Sequence, residues 1–98
     1  MEDITVEDLK SRLDNNEKFV FLDVREEWEY DDDNLGAKNI PLADLPTRLT
    51  ELEDYKDTEI VVHCRSGARS MNAKKFLESK GFSKVRNTIG GILAYRNL

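Results

Sequence analysis

Apolar positions along the chain switch between two periods, and the switches mark out alternating helices and strands. Val6, Leu9 and Leu13 share one helical face behind Thr5-Val6-Glu7-Asp8, an N-cap with an acidic first turn, and Asn15-Asn16 stops the pattern. Phe19 to Val24 is a continuous apolar run broken only by Asp23, as in a strand covered on both faces. Glu26 to Tyr30 reads as a short helix followed by the acidic turn Asp31-Asp32-Asp33-Asn34. Ala37 to Leu42 reads as a short strand ending at Pro41, and Leu45, Leu49 and Leu52 form a second helical stripe. Ile60 to Cys64 predicts the central strand. Ala73, Phe76 and Leu77 mark a third helix, ended by Lys80-Gly81. Val85 to Ile89 predicts the last strand, and Gly90-Gly91 turns into a final short helix through Leu93 and Ala94. Alternation at such short intervals implies an α/β domain with a parallel sheet and ligands at the strand C-termini.

Composition narrows this picture. The 98 residues suit one domain over 1–98, and no repeat, low-complexity tract or Pro/Gly/Ser-rich linker divides them. A net charge of -5 argues against broad nucleic-acid binding, which needs a basic face. The longest purely apolar runs, such as Phe19-Val20-Phe21-Leu22, are far too short to cross a bilayer, so no membrane role is expected. Met1-Glu2-Asp3 is acidic and opens no signal segment. The lone cysteine cannot form an internal disulfide, which fits a reducing, cytoplasmic setting.

The candidate chemistry lies in His63-Cys64-Arg65-Ser66-Gly67-Ala68-Arg69, which holds the only histidine and the only cysteine. It follows the apolar run Ile60-Val61-Val62, so Cys64 falls at the C-terminal end of a strand. Backbone N–H groups from Arg65 to Arg69 and the next helix can there converge on its sulfur. Those donors, with the charges of Arg65 and Arg69, favour a thiolate over a thiol; the alternative for the two arginines is a solvent-facing position paired with the abundant carboxylates. Gly67 lets the backbone curl, and Ser66 and Ser70 either add hydroxyl donors or cap the helix. His63 points to the opposite face of the strand and is expected to pack rather than act as a base. One cysteine and one histidine cannot assemble a zinc site. Asp31-Asp32-Asp33 resembles part of a calcium loop, but its twelfth position is Leu42 where a glutamate is required. No nucleotide-binding glycine loop is present. Neither a metal nor an organic cofactor is expected.

Several segments together resemble the single-domain rhodanese family. Leu22-Asp23-Val24-Arg25-Glu26 with Trp28-Glu29-Tyr30 is similar to its first signature, and Gly36-Ala37 with Asn39-Ile40-Pro41-Leu42 to its second. Cys64-Arg65-Ser66-Gly67-Ala68-Arg69 with Ser70 resembles its active-site loop. Gly81-Phe82 with Val85, and Gly90-Gly91 with Ala94, resemble the close of the domain. The resemblance implies a mostly parallel, five-stranded sheet with helices on both faces. It also implies sulfurtransferase chemistry in which Cys64 carries the transferred sulfur as a persulfide. Sulfane sulfur would come from a donor such as thiosulfate, a persulfide or a partner protein, and would leave to a thiol, to cyanide or to a protein acceptor. Arg65, Ser66, Gly67, Ala68 and Arg69 are the expected substrate-binding loop, with Asp23, Arg25 and Ser70 supporting it. Two departures stand out. Asp33-Asn34-Leu35 is one residue shorter than the family's Gly-His and proline segment, and Tyr95 replaces a common tryptophan.

Two rival readings follow from the same residues. A phosphatase or arsenate-reductase loop also runs from cysteine to arginine, but with five intervening residues where Arg65 to Ala68 make four. The shorter loop suits one sulfur atom better than a phosphate, and Asp23 is the only candidate acid nearby. Asp23 is expected instead to pair with Arg25 or to accept backbone donors at the loop. The second rival is a binding module that keeps the fold and passes no sulfur. Glu26, Glu27, Glu29 and the three aspartates read as a solvated acidic face, with docking of a basic partner as the alternative. Trp28 and Tyr30 are expected to pack over the sheet, with extension of that acidic surface as the alternative.

Overall fold

The computed structural model describes residues 1–98. Four parallel strands form one sheet: β1 (Val20–Asp23), β2 (Lys38–Asn39), β3 (Ile60–His63) and β4 (Val85–Asn87), in the order β2-β1-β3-β4. Registers of Leu22 on Lys38, Phe21 on Val61 and Val61 on Arg86 bring every strand's C-terminus to one edge. The helices are α1 (Val6–Asp14), α2 (Glu27–Asp32), α3 (Ala68–Ser79) and α4 (Gly91–Arg96). No helix is long and apolar enough to cross a membrane.

Alternation along the strands separates two cores. Ile60, Val62 and Cys64 on β3 and just beyond it, with Leu22 and Val85, pack against Ala73 and Leu77 of α3 and against Leu45 and Leu52. Val61, on the opposite face, packs with Ile4 and Leu9, and Leu13, Phe21 and Tyr95 close over it. Helices therefore cover both faces, and the side chain of Cys64 starts out on the α3 side.

The sheet differs from the expected five strands. The missing strand survives as a single parallel bridge between Ile4 and Thr88. Ile4 donates to the Asn87 carbonyl at 2.9 Å and accepts from Ile89 N–H at 2.9 Å. It can extend no further, because Thr5 already caps α1 through the Asp8 N–H and Asp3 takes the Asn87 N–H with its carboxylate. The predicted strands are also trimmed at their ends.

The stripe of Leu45, Leu49 and Leu52 packs on the core, with Leu45 and Leu52 buried and Leu49 partly so, but not on an α-helix. Leu42–Asp44 and Leu49–Tyr55 are 3-10 turns, separated at Pro46, which has no N–H to carry a helix through. The acidic turn after Tyr30 is likewise shifted, since Asp31 and Asp32 complete α2 and Asp33 caps it.

Candidate active site

Cys64 sits one residue past β3, where the chain leaves the sheet and curls back into α3. Gly67 makes that curl with φ at +107°, a left-handed backbone that a residue with a Cβ adopts only under strain. The turn aims polar hydrogens at one atom. Gly67 N–H lies 3.1 Å from Cys64 Sγ, Ser70 N–H 3.4 Å and Ser70 Oγ 3.3 Å. Cys64 is 1% exposed and Ser70 fully buried, so these contacts work in a poorly screened setting. Burial pushes the thiol up, but the Ser70 hydroxyl and the N–H groups of Ser70, Gly67 and Ser66 outweigh it, and the net shift is downward. The loop therefore favours an ionised sulfur through hydrogen bonds.

The two loop arginines are disposed differently. Arg69 is held by Glu29 of α2, with Nη1–Oε1 at 2.6 Å and Nη2–Oε2 at 2.9 Å. That bidentate contact draws the Glu29 carboxyl down to about 2 and ties α2 to the start of α3. Arg65 is exposed and is the only arginine of the chain without a carboxylate partner. Ser66 and Ala68 are exposed beside it.

Asp23 ends β1 in register with His63, and Arg25 follows it, both buried. Arg25 donates its own N–H and Nε to Asp23 Oδ1 at 3.0 Å, and Nη2 to Oδ2 at 2.7 Å. Its Nη2 also reaches the Asp33 carbonyl at 2.7 Å. Asp23 thus pairs with the Arg25 side chain, as expected, and its backbone donor is the Arg25 N–H rather than one from the Cys64 loop. His63 packs, as its strand position requires, against Phe21 at 5.2 Å between ring centroids. Its Nδ1 faces the Cys64 carbonyl at 3.3 Å, and Nε2 lies 3.4 Å from Asp23 Oδ2 without a hydrogen bond.

Three contributors carried no legible signal of their role. The side-chain amide of Asn87 of β4 makes a very short contact with Ser70 Oγ, and so touches the group that touches the sulfur. The first turn of α4 grips the loop from the other side: Ile92 N–H donates to the Cys64 carbonyl at 3.0 Å and Leu93 N–H to that of Arg65 at 3.1 Å. A trans peptide points its N–H away from its carbonyl, so anchoring the Arg65 carbonyl on α4 turns the Ser66 N–H toward the sulfur side. Gly91 permits this approach. A Cβ there would lie 2.6 Å from the Cys64 carbonyl oxygen and closer still to that of Arg65. The third contributor is Glu29, whose partner Arg69 is forty residues away. Trp28 reverses its expected placement. It is 71% exposed rather than packed over the sheet, because α2 buries none of its residues and turns this side chain outward.

Comparison with known proteins places this geometry among relatives. The rhodanese-like domain pattern matches residues 5–98. A sulfurtransferase of Allochromatium vinosum is 35% identical over 94 residues, covering 95% of this chain and 86% of the relative. YtwF of Bacillus subtilis is 36% identical over 96 residues, covering 97% of this chain and 90% of its own length. The crystal structure of a rhodanese-like domain protein from Staphylococcus aureus superposes with a TM-score of 0.87 at 29% identity, over 97% of this chain and 91% of that one.

Proposed function

The chain belongs to the rhodanese-like domain family, and we propose that it transfers sulfane sulfur through a persulfide on Cys64. The observation that carries this reading is the convergence of Gly67 N–H, Ser70 N–H and Ser70 Oγ on a single sulfur. In the first step the Cys64 thiolate attacks the sulfane sulfur of a donor such as thiosulfate. A bond forms between Sγ and that sulfur, the bond to the sulfonate breaks, and its electron pair leaves with sulfite. In the second step an acceptor thiolate or cyanide attacks the outer sulfur, and the electron pair of the Sγ–S bond returns to Cys64. The outer persulfide sulfur is anionic, and the loop N–H groups suit it without rearrangement. Arg65 has the role of attracting an anionic donor, being free and exposed. Arg69 has the role of fixing α2 against the loop through Glu29, with its charge largely satisfied there.

Intact mass after exposure to thiosulfate and desalting tests this reading. The wild-type chain should gain about 32 Da, one sulfur atom, and Cys64→Ser should gain nothing. A wild-type chain that takes up no sulfur from thiosulfate, a polysulfide or a low-molecular-weight persulfide would leave only a binding module.

A further inference from the structure

Between α2 and α4 a groove of about 510 Å³ opens beside the loop, and Arg65 forms part of its wall. Trp28 and Leu93 line it and are 71% and 43% exposed, with Ile92 beneath. A large aromatic left in water beside a reactive loop adds nothing to the core, and tryptophan is among the residue types enriched as interface anchors. The charges around it are uneven. In the lining, Glu29 is paired with Arg69, Arg25 with Asp23 and Asp33 with Arg96, which leaves Arg65 and Asp32 without an ion pair; Glu26, Glu27 and Asp31, on the same helix and its cap but outside the lining, are also exposed and unpaired. Asp31 and Asp32 also occupy the last turn of α2, where the helix dipole disfavours negative charge and no basic residue offsets it.

We propose that this groove docks a protein sulfur acceptor whose cysteine is flanked by basic residues, with Trp28 as the anchor. The inference rests on the persulfide reading above. The two sides of the groove match the two parts of such a partner: the acceptor thiolate is drawn toward Arg65 and the loop, while its cationic flank meets the α2 carboxylates. Basic neighbours also lower the acceptor's own thiol pKa, so the charge that docks the segment makes it a better nucleophile. On transfer the acceptor sulfur bonds to the outer sulfur of the Cys64 persulfide as the Sγ–S bond breaks. The acceptor leaves as a persulfide and Cys64 is restored as thiolate, with no net oxidation.

The test uses two blocked nonapeptides, each with one central cysteine, one flanked by lysines and the other by glutamates. Sulfur-loaded protein, its adduct first verified by mass, is offered each peptide or cyanide. Transfer to the lysine peptide should exceed transfer to the glutamate peptide by at least tenfold at low salt and converge with it at high salt. The ratio of lysine-peptide to cyanide transfer should fall at least fivefold in Trp28→Ala and in the double variant Asp31→Lys/Asp32→Lys. That double variant improves the charge at the end of α2, so loss of folding would not explain the result. Trp28 is the only tryptophan, and in Cys64→Ser its emission should shift to the blue as the lysine peptide is added. Equal transfer to both peptides overturns the proposal, as does a lysine preference that survives both variants. Emission that shifts with the protein's own concentration and not with peptide assigns the groove to a second copy and overturns it equally. A chain that never loads sulfur fails at the earlier verification, which distinguishes failure of the persulfide reading from failure of the docking surface.

Discussion

The loop that carries Cys64 is gripped by two helices, and they grip it with opposite results. α3 sends donors to the sulfur itself: its Ser70 N–H and Oγ lie 3.4 and 3.3 Å from Sγ. α4 sends none to the sulfur, and its first-turn N–H groups go to the carbonyls of Cys64 and Arg65. One helix acts on the electronic state of the nucleophile. The other acts on the shape of the backbone around it. The lesson is that a cradle for an anion needs its carbonyls held outward as well as its N–H groups held inward, and separate elements supply the two.

The contrast breaks most severely at Gly91. Gly91→Ala places a methyl group against the Cys64 and Arg65 carbonyls, costing about 1–3 kcal/mol of overpacking beside roughly 1–2 kcal/mol for a left-handed backbone. The midpoint of thermal unfolding should fall by roughly 10 °C or more. Leu93→Pro removes the donor to the Arg65 carbonyl, together with the leucine side chain, from a half-exposed position in the first helical turn, where proline is tolerated. It should fold and load sulfur more slowly. An unaltered midpoint in Gly91→Ala, or unaltered loading in Leu93→Pro, would deny α4 its hold on the loop.

The α3 side breaks more gently. Ser70→Ala deletes a hydrogen bond to a charged sulfur, so the Cys64 pKa should rise. Loading would then need higher pH, while the secondary structure stays intact by circular dichroism. A titration indifferent to this change would leave the depression to the backbone N–H groups alone. Smaller again is Arg65→Ala, which touches neither helix. It should raise the Michaelis constant for thiosulfate a few-fold, on the order of 1 kcal/mol for an exposed charge pair, and leave the thiol titration where it was. An unchanged Michaelis constant would remove Arg65 from donor binding.

What could be read from the chain divides along the same line. Periodicity and the Cys64 to Arg69 segment announced the strand, the turn and the converging N–H groups, because all of them are local. Asp23 with Arg25 was legible for the same reason, two residues apart on one strand end. The α4 contribution was not, since Gly90-Gly91 signals a turn in any context and nothing local says which carbonyls its helix will meet. Asn87 reads as an ordinary strand residue until β4 is laid beside β3. Arg69 could be read as a cation for the sulfur or as the partner of a carboxylate, and nothing local says that the carboxylate is Glu29 of α2. The expected fifth strand fell to one bridge because Asp3 and Thr5, on either side of Ile4, spend their side chains on other backbone donors. Trp28 was misjudged by the usual rule that an aromatic in a small domain packs inward. Six residues of α2 with none buried give it nowhere to pack.

The central claim concerns one titration. With a single cysteine in the chain, thiolate absorbance reports Cys64 alone, and the same protein unfolded in denaturant supplies the reference. The folded pKa should be the lower of the two: thiolate persists below the unfolded value and is lost only as pH falls through the folded one, with sulfur loading declining in step. A folded pKa equal to or above that of the unfolded chain would contradict the account, because burial would then have prevailed over the donors that surround the sulfur.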